Sequence, residues 1–466
     1  MRFFYWGYIK TMNILIVGNG FDLSHYLPTK YDHFMDAMNV IENKDTGGLP
    51  KDLEHRSIDE RLRLLNSTFE KRENNEDAKQ AITFEELFVE TRDPNFLEKT
   101  KEFYKTSEIV LTQKSVLEFQ YRLAKNCWYQ YFKQHVREIK TWIDFEQKIE
   151  YALSMVCKFI HKIEISFENL GNCNLPILIL EKHSKKENKN YYLSSIECFD
   201  LFNLGLLIKN KEYGRQSDFW LDQKYAVIDL NWFNSVEKPE YGFSTEKYIN
   251  FLNQALKEFI EIFNLYLERI VDKLVAKSQF KIEAESWVMP DHIFSFNYTN
   301  TFQKFYTSTS TEFLHGRFGE KQNIVLGISD LEDEGLKKLK AYGFTKYHQK
   351  LFKDTDYLFL DDCSQVKKRI LGAQPSAMGK GTKFIIWGHS LDQSDQEYIK
   401  EIFKLNEVRD TGVRVMVYYF DDNAKFSLLN NLLDILKKDK VEKWMKNGWL
   451  TFKENPEVKL VETIPE

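Results

Sequence analysis

Four short polar segments of this 466-residue chain carry side chains that could act on a ligand. The first is Gly18-Asn19-Gly20-Phe21-Asp22, which directly follows the apolar run Ile14–Val17. Glycines at such a turn let backbone N–H groups approach a phosphate, and the acid can take ribose hydroxyls. The third glycine of the dinucleotide fingerprint is absent, so this turn predicts a nucleotide site only in combination with other residues.

The other three segments follow predicted strands far downstream. They contribute Asn297, His315, and the group Gly388, His389, Ser390 and Asp392. In an open α/β sheet the ligand binds outside the carboxyl ends of the strands. We therefore expect these side chains to meet the glycine turn in one cleft.

Each of these polar residues also has an ordinary structural interpretation. Asp22, Asn297 and Asp392 could each cap a following helix. His315 could belong to a turn before Gly316, and His389 could be a satisfied histidine under a loop. Their coincidence at the same edge of one sheet favours a ligand site over four separate structural roles.

A neutral asparagine and a histidine beside a phosphate-binding turn suit cleavage of an N-glycosidic bond. The transition state is oxocarbenium-like, so departure of the base depends more on positioning than on a strong nucleophile. An asparagine can orient water or the ribose, and a histidine with a pKa of about 6.5 can accept a proton at neutral pH. Asp22, Asp392 and Asp395 come from two loops and nothing fixes a third metal ligand, so no metal is predicted.

The elements that must position these residues alternate between strands and helical patterns, which indicates a parallel sheet. We predict a Rossmann-like α/β fold with a mostly parallel sheet. After the strand that precedes Gly18, the predicted strands are His292–Phe296, Glu312–Leu314, Asn323–Leu326, Lys383–Trp387 and Val413–Phe420.

The chain is expected to divide into three parts. Residues 12–40 and 286–440 form a discontinuous nucleotide-binding domain, residues 41–285 a mainly helical insertion, and residues 441–466 a C-terminal segment. Only 20 Gly and 9 Pro against 37 Phe and 24 Tyr indicate long helices. The insertion has an apolar stripe from Tyr248 to Leu274 that needs a helical partner, and we expect the insertion to control assembly or access to the site.

Bulk composition narrows the functional classes. A net charge of −5 gives no general attraction to nucleic acid, although a local basic groove stays open. Five cysteines without a CxxC pair indicate a reducing, cytoplasmic compartment. No segment approaches the roughly 18 apolar residues of a membrane span. Met1–Thr11 lacks signal-peptide features and is interpreted as an extension upstream of a natural start at Met12.

Several motifs together resemble the bacteriophage abortive infection AbiH family. They are Gly18-Asn19-Gly20-Phe21-Asp22-Leu23 with Leu27-Pro28-Thr29-Lys30-Tyr31 and Phe34, Ser295–Thr301, Leu314-His315-Gly316, and Trp387–Asp392 with Asp395. Trp142, Asp144 and Glu146 also resemble a family feature. The resemblance extends from Met12 to about residue 440 and implies an anti-phage role.

More distantly, the pattern is similar to sirtuin-like NAD-consuming defence domains. This similarity implies that Gly18, Gly20 and Asp22 line the pyrophosphate and ribose of NAD, and Asn19 and Phe21 of the same turn are also expected to bind the cofactor. It further implies that Asn297 positions water or the nicotinamide ribose and that His315 is the general base. Ser390 and Asp392 would contact the adenosine end, and Gly388 and His389 are also expected to bind the cofactor. The lack of zinc-binding cysteines argues against protein deacylation.

Three functions follow from these observations. The first is an abortive-infection effector that hydrolyses NAD to ADP-ribose and nicotinamide. The second is a non-catalytic sensor, whose sheet binds a nucleotide while the insertion recognises a phage-derived trigger or a second copy of the chain. The third is a metal-dependent nuclease that uses Asp22, against which the lack of excess basic charge argues.

Overall fold

A computed structural model describes most of the chain. The described residues are 11–45, 80–139, 141–170, 195–209, 226–235, 242–355, 359–360, 365–372 and 381–461. The interpretation of residues 1–10 as an upstream extension lies outside them, as do Cys173, Cys363 and part of the predicted insertion.

The described residues form twelve strands. They are β1 (Met12–Val17), β2 (Gln80–Thr83), β3 (Val110–Thr112), β4 (Leu207–Lys209), β5 (Ala226–Ile228), β6 (Phe280–Glu283), β7 (His292–Ser295), β8 (Thr311–Phe313), β9 (Thr382–Trp387), β10 (Val413–Tyr419), β11 (Leu450–Glu454) and β12 (Glu457–Leu460).

They also form sixteen α-helices. These are α1 (Asn19–Ser24), α2 (Tyr31–Asn43), α3 (Phe84–Leu87), α4 (Pro94–Phe103), α5 (Gln113–Lys125), α6 (Cys127–Gln134), α7 (Trp142–Leu170), α8 (Ser195–Asn203), α9 (Thr245–Tyr266), α10 (Thr301–Phe305), α11 (Glu334–Lys338), α12 (Lys346–Phe352), α13 (Gln365–Gly372), α14 (Gln396–Lys404), α15 (Asp422–Leu436) and α16 (Lys438–Lys446).

A six-stranded sheet with the order β11-β10-β9-β1-β7-β8 is the centre of the fold. Every neighbouring pair in it is parallel, which confirms the predicted α/β class. The chain runs from β1 outward through β7 and β8, then crosses to β9 on the other side of β1. The strand order therefore reverses between β1 and β9, and crevices at such switch points are where α/β sheets bind ligands.

Both faces of the sheet are buried, which explains the uninterrupted apolar run of β1. Leu15 and Val17 pack into a large core shared with the helical region, by which we mean the described helices between residues 41 and 285. Ile14 and Ile16 pack into a second core beneath α14, α15 and α16. A strand that is covered on both sides needs apolar residues at consecutive positions rather than at alternate ones. This pattern fixes β1 at the middle of the sheet.

The helical region packs directly on the sheet. On α9, the predicted stripe finds its partners in aromatic side chains: the Phe259 ring lies 5.2 Å from that of Phe132 and 5.4 Å from that of Phe145. The Phe263 ring lies 4.7 Å from that of Trp142. These residues share one continuous core with Leu15 and Val17. No helix in the described part of the chain is long and apolar enough to cross a membrane.

Two strand assignments in or beside the central sheet differ from the prediction, and the strands of the two-stranded sheets were not predicted. The predicted strand Asn323–Leu326 is irregular although residues 324–326 are buried, because the Gln349 side chain bonds both the N–H and the C=O of Leu326 in place of a neighbouring strand. Conversely, β11 was not predicted. It pairs with β10 at the sheet edge, so the sheet continues beyond residue 440 into the segment that the sequence set apart.

Candidate functional site

A cavity of about 310 Å³ lies at the carboxyl edge of the sheet, at the point where the strand order reverses. Small-molecule sites usually occupy roughly 300–1,000 Å³, so this cavity lies at the lower end of that range. Eight of the residues predicted from the sequence line it: Gly18, Asn19, Asp22, Asn297, His315, Gly388, His389 and Ser390. Four segments far apart in sequence are thus brought to one place, as the predicted topology requires.

Three other predicted residues do not line this cavity. Gly20 faces the loop after β9, and Phe21 is fully buried with its ring 5.0 Å from that of Trp387. The Asp392 side chain accepts a hydrogen bond from the Ser394 backbone N–H at 2.9 Å, which is the capping role left open by the sequence. Their assignment to cofactor binding stays a prediction that the cavity geometry does not support.

The glycines of the first turn serve a close contact between two loops. Gly18 N–H donates to the Trp387 carbonyl at 3.0 Å, and Gly20 N–H donates to the Gly388 carbonyl at 2.9 Å. A Cβ atom on either glycine would lie 2.6 Å from backbone atoms of this loop. These two amides are therefore used within the protein, and not as the phosphate donors that the sequence suggested.

Asp22 is buried beneath the cavity and holds the residues after β7 in place. The Asn297 side-chain amide donates to Asp22 Oδ1 at 2.9 Å, and the Thr299 hydroxyl donates to Asp22 Oδ2 at 2.5 Å. Burial raises the pKa of Asp22 to about 6, although the hydrogen bonds from Thr299, Thr301 and Asn297 act in the opposite direction. Because a carboxylate accepts and the amide donates, this contact also fixes which way the Asn297 amide points.

Two histidines meet one carboxylate on the other side of the cavity. His315 Nε2 lies 3.1 Å from Asp395 Oδ1, and His389 Nε2 lies 3.3 Å from Asp395 Oδ2. The Leu391 N–H donates to His389 Nδ1 at 2.9 Å, which places the single N–H of that ring at Nε2. The His315 contact is not aligned as a hydrogen bond. Burial lowers the pKa of His315 to about 3 despite the nearby Asp395, so this ring is uncharged at neutral pH.

A buried lysine joins this cluster to the helical region. Lys346, at the start of α12, is only 4% exposed and lies 2.7 Å from Glu146 Oε1 of α7 and 3.8 Å from Asp395 Oδ1. Burial opposes the charges of both Lys346 and Asp395, but their attraction prevails. It raises the pKa of Lys346 and, with the hydrogen bond from His389, holds the pKa of Asp395 well below its usual range.

Glu146 is a member of this cluster whose charge changes near neutral pH. Burial raises its pKa to about 7, and the negative charges of Asp395 and Asp392 act in the same direction, whereas the Lys346 ammonium group acts in the opposite direction. Its side chain is 14% exposed and lines the cavity, so a ligand or water there can reach it. Asp395, at 8% exposed, lines the same cavity.

The sequence did not assign roles to Glu146, Lys346 or Asp395. Glu146 and Asp395 occur in the motifs that resemble the AbiH family, which was a usable signal. No sequence signal pointed to Lys346, because it lies in an ordinary charged segment. No group of three or more His, Cys, Asp or Glu within the described ranges is placed to hold a metal ion. Both oxygens of Asp22 already accept hydrogen bonds, which does not fit its predicted use as a ligand by the nuclease alternative.

Together, the parallel sheet and the cavity at its switch point, which charged side chains line, define a Rossmann-like α/β protein with a candidate ligand site. A family model described as "Bacteriophage abortive infection AbiH" matches residues 14–419, and the chain belongs to this family. Membership indicates a role in abortive-infection defence. None of the curated proteins or solved structures compared with the chain matches it.

Proposed function

We propose that this AbiH protein is an abortive-infection effector that binds NAD or a related nucleotide and hydrolyses its N-glycosidic bond, giving ADP-ribose and nicotinamide. The observation that carries the proposal is the convergence of Asn297 and His315 with the Asn19 turn and the His389 loop on one cavity. We place only the nicotinamide riboside end of the dinucleotide in this cavity, because its volume of about 310 Å³ lies at the lower end of the range for small-molecule sites.

The chemistry of the cavity supports this reaction. The bond breaks through an oxocarbenium-like state, and the ionised Asp395 is a buried negative charge that can stabilise developing positive charge. Since Asn297 Nδ2 is held by Asp22, the amide oxygen is the part of this side chain left to orient water or a ribose hydroxyl.

The test is to incubate the purified full-length protein with NAD, alone and with lysate of phage-infected cells, and to quantify nicotinamide. We expect release that is lost in Asn297→Ala and reduced in His315→Ala. Absence of release in both conditions, or turnover that survives both substitutions, would contradict the proposal.

A non-catalytic sensor is the second candidate, and one observation favours it. With a pKa of about 3, His315 is a weak base at neutral pH, whereas an efficient general base has a pKa near the working pH. If the protein only senses a nucleotide, it will retain the ligand through gel filtration and leave it intact. Equal retention by wild type and His315→Ala, without product, would select this function.

A further inference from the structure

A carboxyl group from the helical region enters the same cavity as the strand-end residues. Glu146 lies in the first turns of α7, far in sequence from β7, β8 and β9, yet it lines the cavity together with Asn297 and His315. Resting on the proposed NAD hydrolysis, we propose that Glu146 is the general base that takes the proton from the attacking water.

The contacts of Glu146 suit this role. One oxygen is held by Lys346 at 2.7 Å, which fixes the orientation of the carboxyl group. The charged and titratable groups that face it are Lys346 of α12, Asp395 and Asp392 of the loop after β9, and Tyr298 after β7. Lys346 thereby acts as a positioning residue that leaves Glu146 able to accept a proton.

His315 is less suited to the same step. Its Nε2 faces Asp395 at 3.1 Å, and burial keeps the ring uncharged and weakly basic. Glu146 has a pKa near 7, so it changes charge close to the expected working pH, where general bases are most efficient. His315 is then left to shape the cavity and contact the ribose.

The water oxygen forms a bond to C1′ of the nicotinamide ribose while the C1′–N1 bond breaks. The electron pair of that bond goes to the pyridinium nitrogen, which leaves as neutral nicotinamide. The water proton passes to the Glu146 carboxylate and is later released to solvent, so each turnover releases one proton.

The test compares kcat and KM for NAD from pH 5.5 to 9 in wild type, Glu146→Gln and Glu150→Gln, with phage lysate where the protein needs it. Glu150 is exposed one turn further along α7 and controls for the lost charge. We expect wild-type kcat to fall as the pH drops through about 7. Glu146→Gln is expected to lower kcat about 100-fold, with little change in KM and no inflection. Glu150→Gln should match wild type.

If Glu146→Gln keeps both the wild-type kcat and the inflection, this inference is overturned while NAD hydrolysis stands. If no protein releases nicotinamide in any condition, the proposed function fails and the inference falls with it. Should Glu146→Gln not fold, as judged by its circular dichroism, Glu146→Asp replaces it. A slower enzyme that retains the inflection supports the role, and one without any inflection contradicts it.

Discussion

The side-chain amide of Asn297 donates a hydrogen bond to the carboxylate of Asp22, although 275 positions separate the two residues. Asp22 follows β1, Asn297 follows β7, and the pairing of these strands places the two side chains together. The acid expected to contact a ribose instead positions the asparagine expected to act on it. An Asp22 variant will therefore change the geometry of Asn297 as well as its own contacts.

Replacing Asp22 by asparagine tests this arrangement through pH. The folded protein raises the pKa of Asp22 from 3.8 to about 6, so the native state binds more protons than the unfolded state between those values. The stability that this group contributes is present below pH 3.8 and is lost as the pH rises through 6. Wild type should thus lose about 2–3 kcal/mol relative to Asp22→Asn between pH 4 and pH 7.

Urea unfolding of both proteins across this pH range measures the difference. Asp439→Asn, at an exposed position, is the matched control and should leave the pH dependence of wild type unchanged. A constant gap between wild type and Asp22→Asn at every pH would mean that Asp22 is already ionised in the native protein at pH 4.

Asn297→Ala should lower turnover of NAD by about 100-fold, because misplacement of the reacting groups alone can have an effect of this size. The carboxylate of Asp22 keeps Thr299 as a donor, so the protein should remain folded. Nicotinamide release gives the rate, and the thermal unfolding midpoint checks the fold. Asn300→Ala, at an exposed position three residues later, should behave as wild type.

Lys346→Met should strongly destabilise the protein. It leaves the buried carboxyl groups of Glu146 and Asp395 without their shared cation, and breaking a buried pair in this way costs about 3–5 kcal/mol. The loss of the ammonium group should also raise the pKa of Glu146 further, so any pH inflection in turnover should move upward. Chemical unfolding and the pH–rate profile measure these effects.

The exposed Lys338→Met serves as the control for that experiment. It should change the free energy of unfolding by no more than about 0.5 kcal/mol, as surface substitutions usually do. Equal stability of the two variants would contradict the importance of the buried cluster.

Gly388→Ala should lower the stability of the protein by more than the backbone conformational penalty alone. Gly388 has a φ of +72°, and a Cβ there would lie 2.1 Å from the Phe21 nitrogen. Gly448 has a nearly equal φ of +66° with nothing within 4 Å of its Cβ position, so Gly448→Ala measures the backbone penalty alone, about 1 kcal/mol. We expect Gly388→Ala to lose at least twice as much stability in urea unfolding.

The sequence predicted the central strands of the sheet and the edge strand β8, but missed the opposite edge strand. Strands β1, β7, β9 and β10 were predicted because they are buried. A strand that is buried on both faces has a continuous run of apolar residues. The edge strand β11 has only Leu450 fully buried, and so lacks that signal. The irregular segment 323–326 looks like a strand because it is buried, but its partner is the Gln349 side chain.

The candidate site was predicted where its residues follow strands and missed where they come from other elements. Asn297, His315 and His389 could be placed together because parallel strands end at one edge. The pairing of Glu146 with Lys346 depends on how α7 and α12 pack, which no local spacing encodes. The turn glycines were recognised, but their hydrogen bonds to the loop after β9 depend on tertiary contacts.

The wall that Trp142 and Glu146 build against the cavity has a practical consequence for dissecting this protein. A truncated protein that lacks α7 would lose one side of the pocket. Lys346 would then have lost Glu146, the acid that lies nearest to it. Conversely, any phage protein or second copy that displaces the first turns of α7 acts on the pocket directly, without a relay through the rest of the molecule. A displacement of α7 would then couple recognition of infection to the chemistry of the pocket.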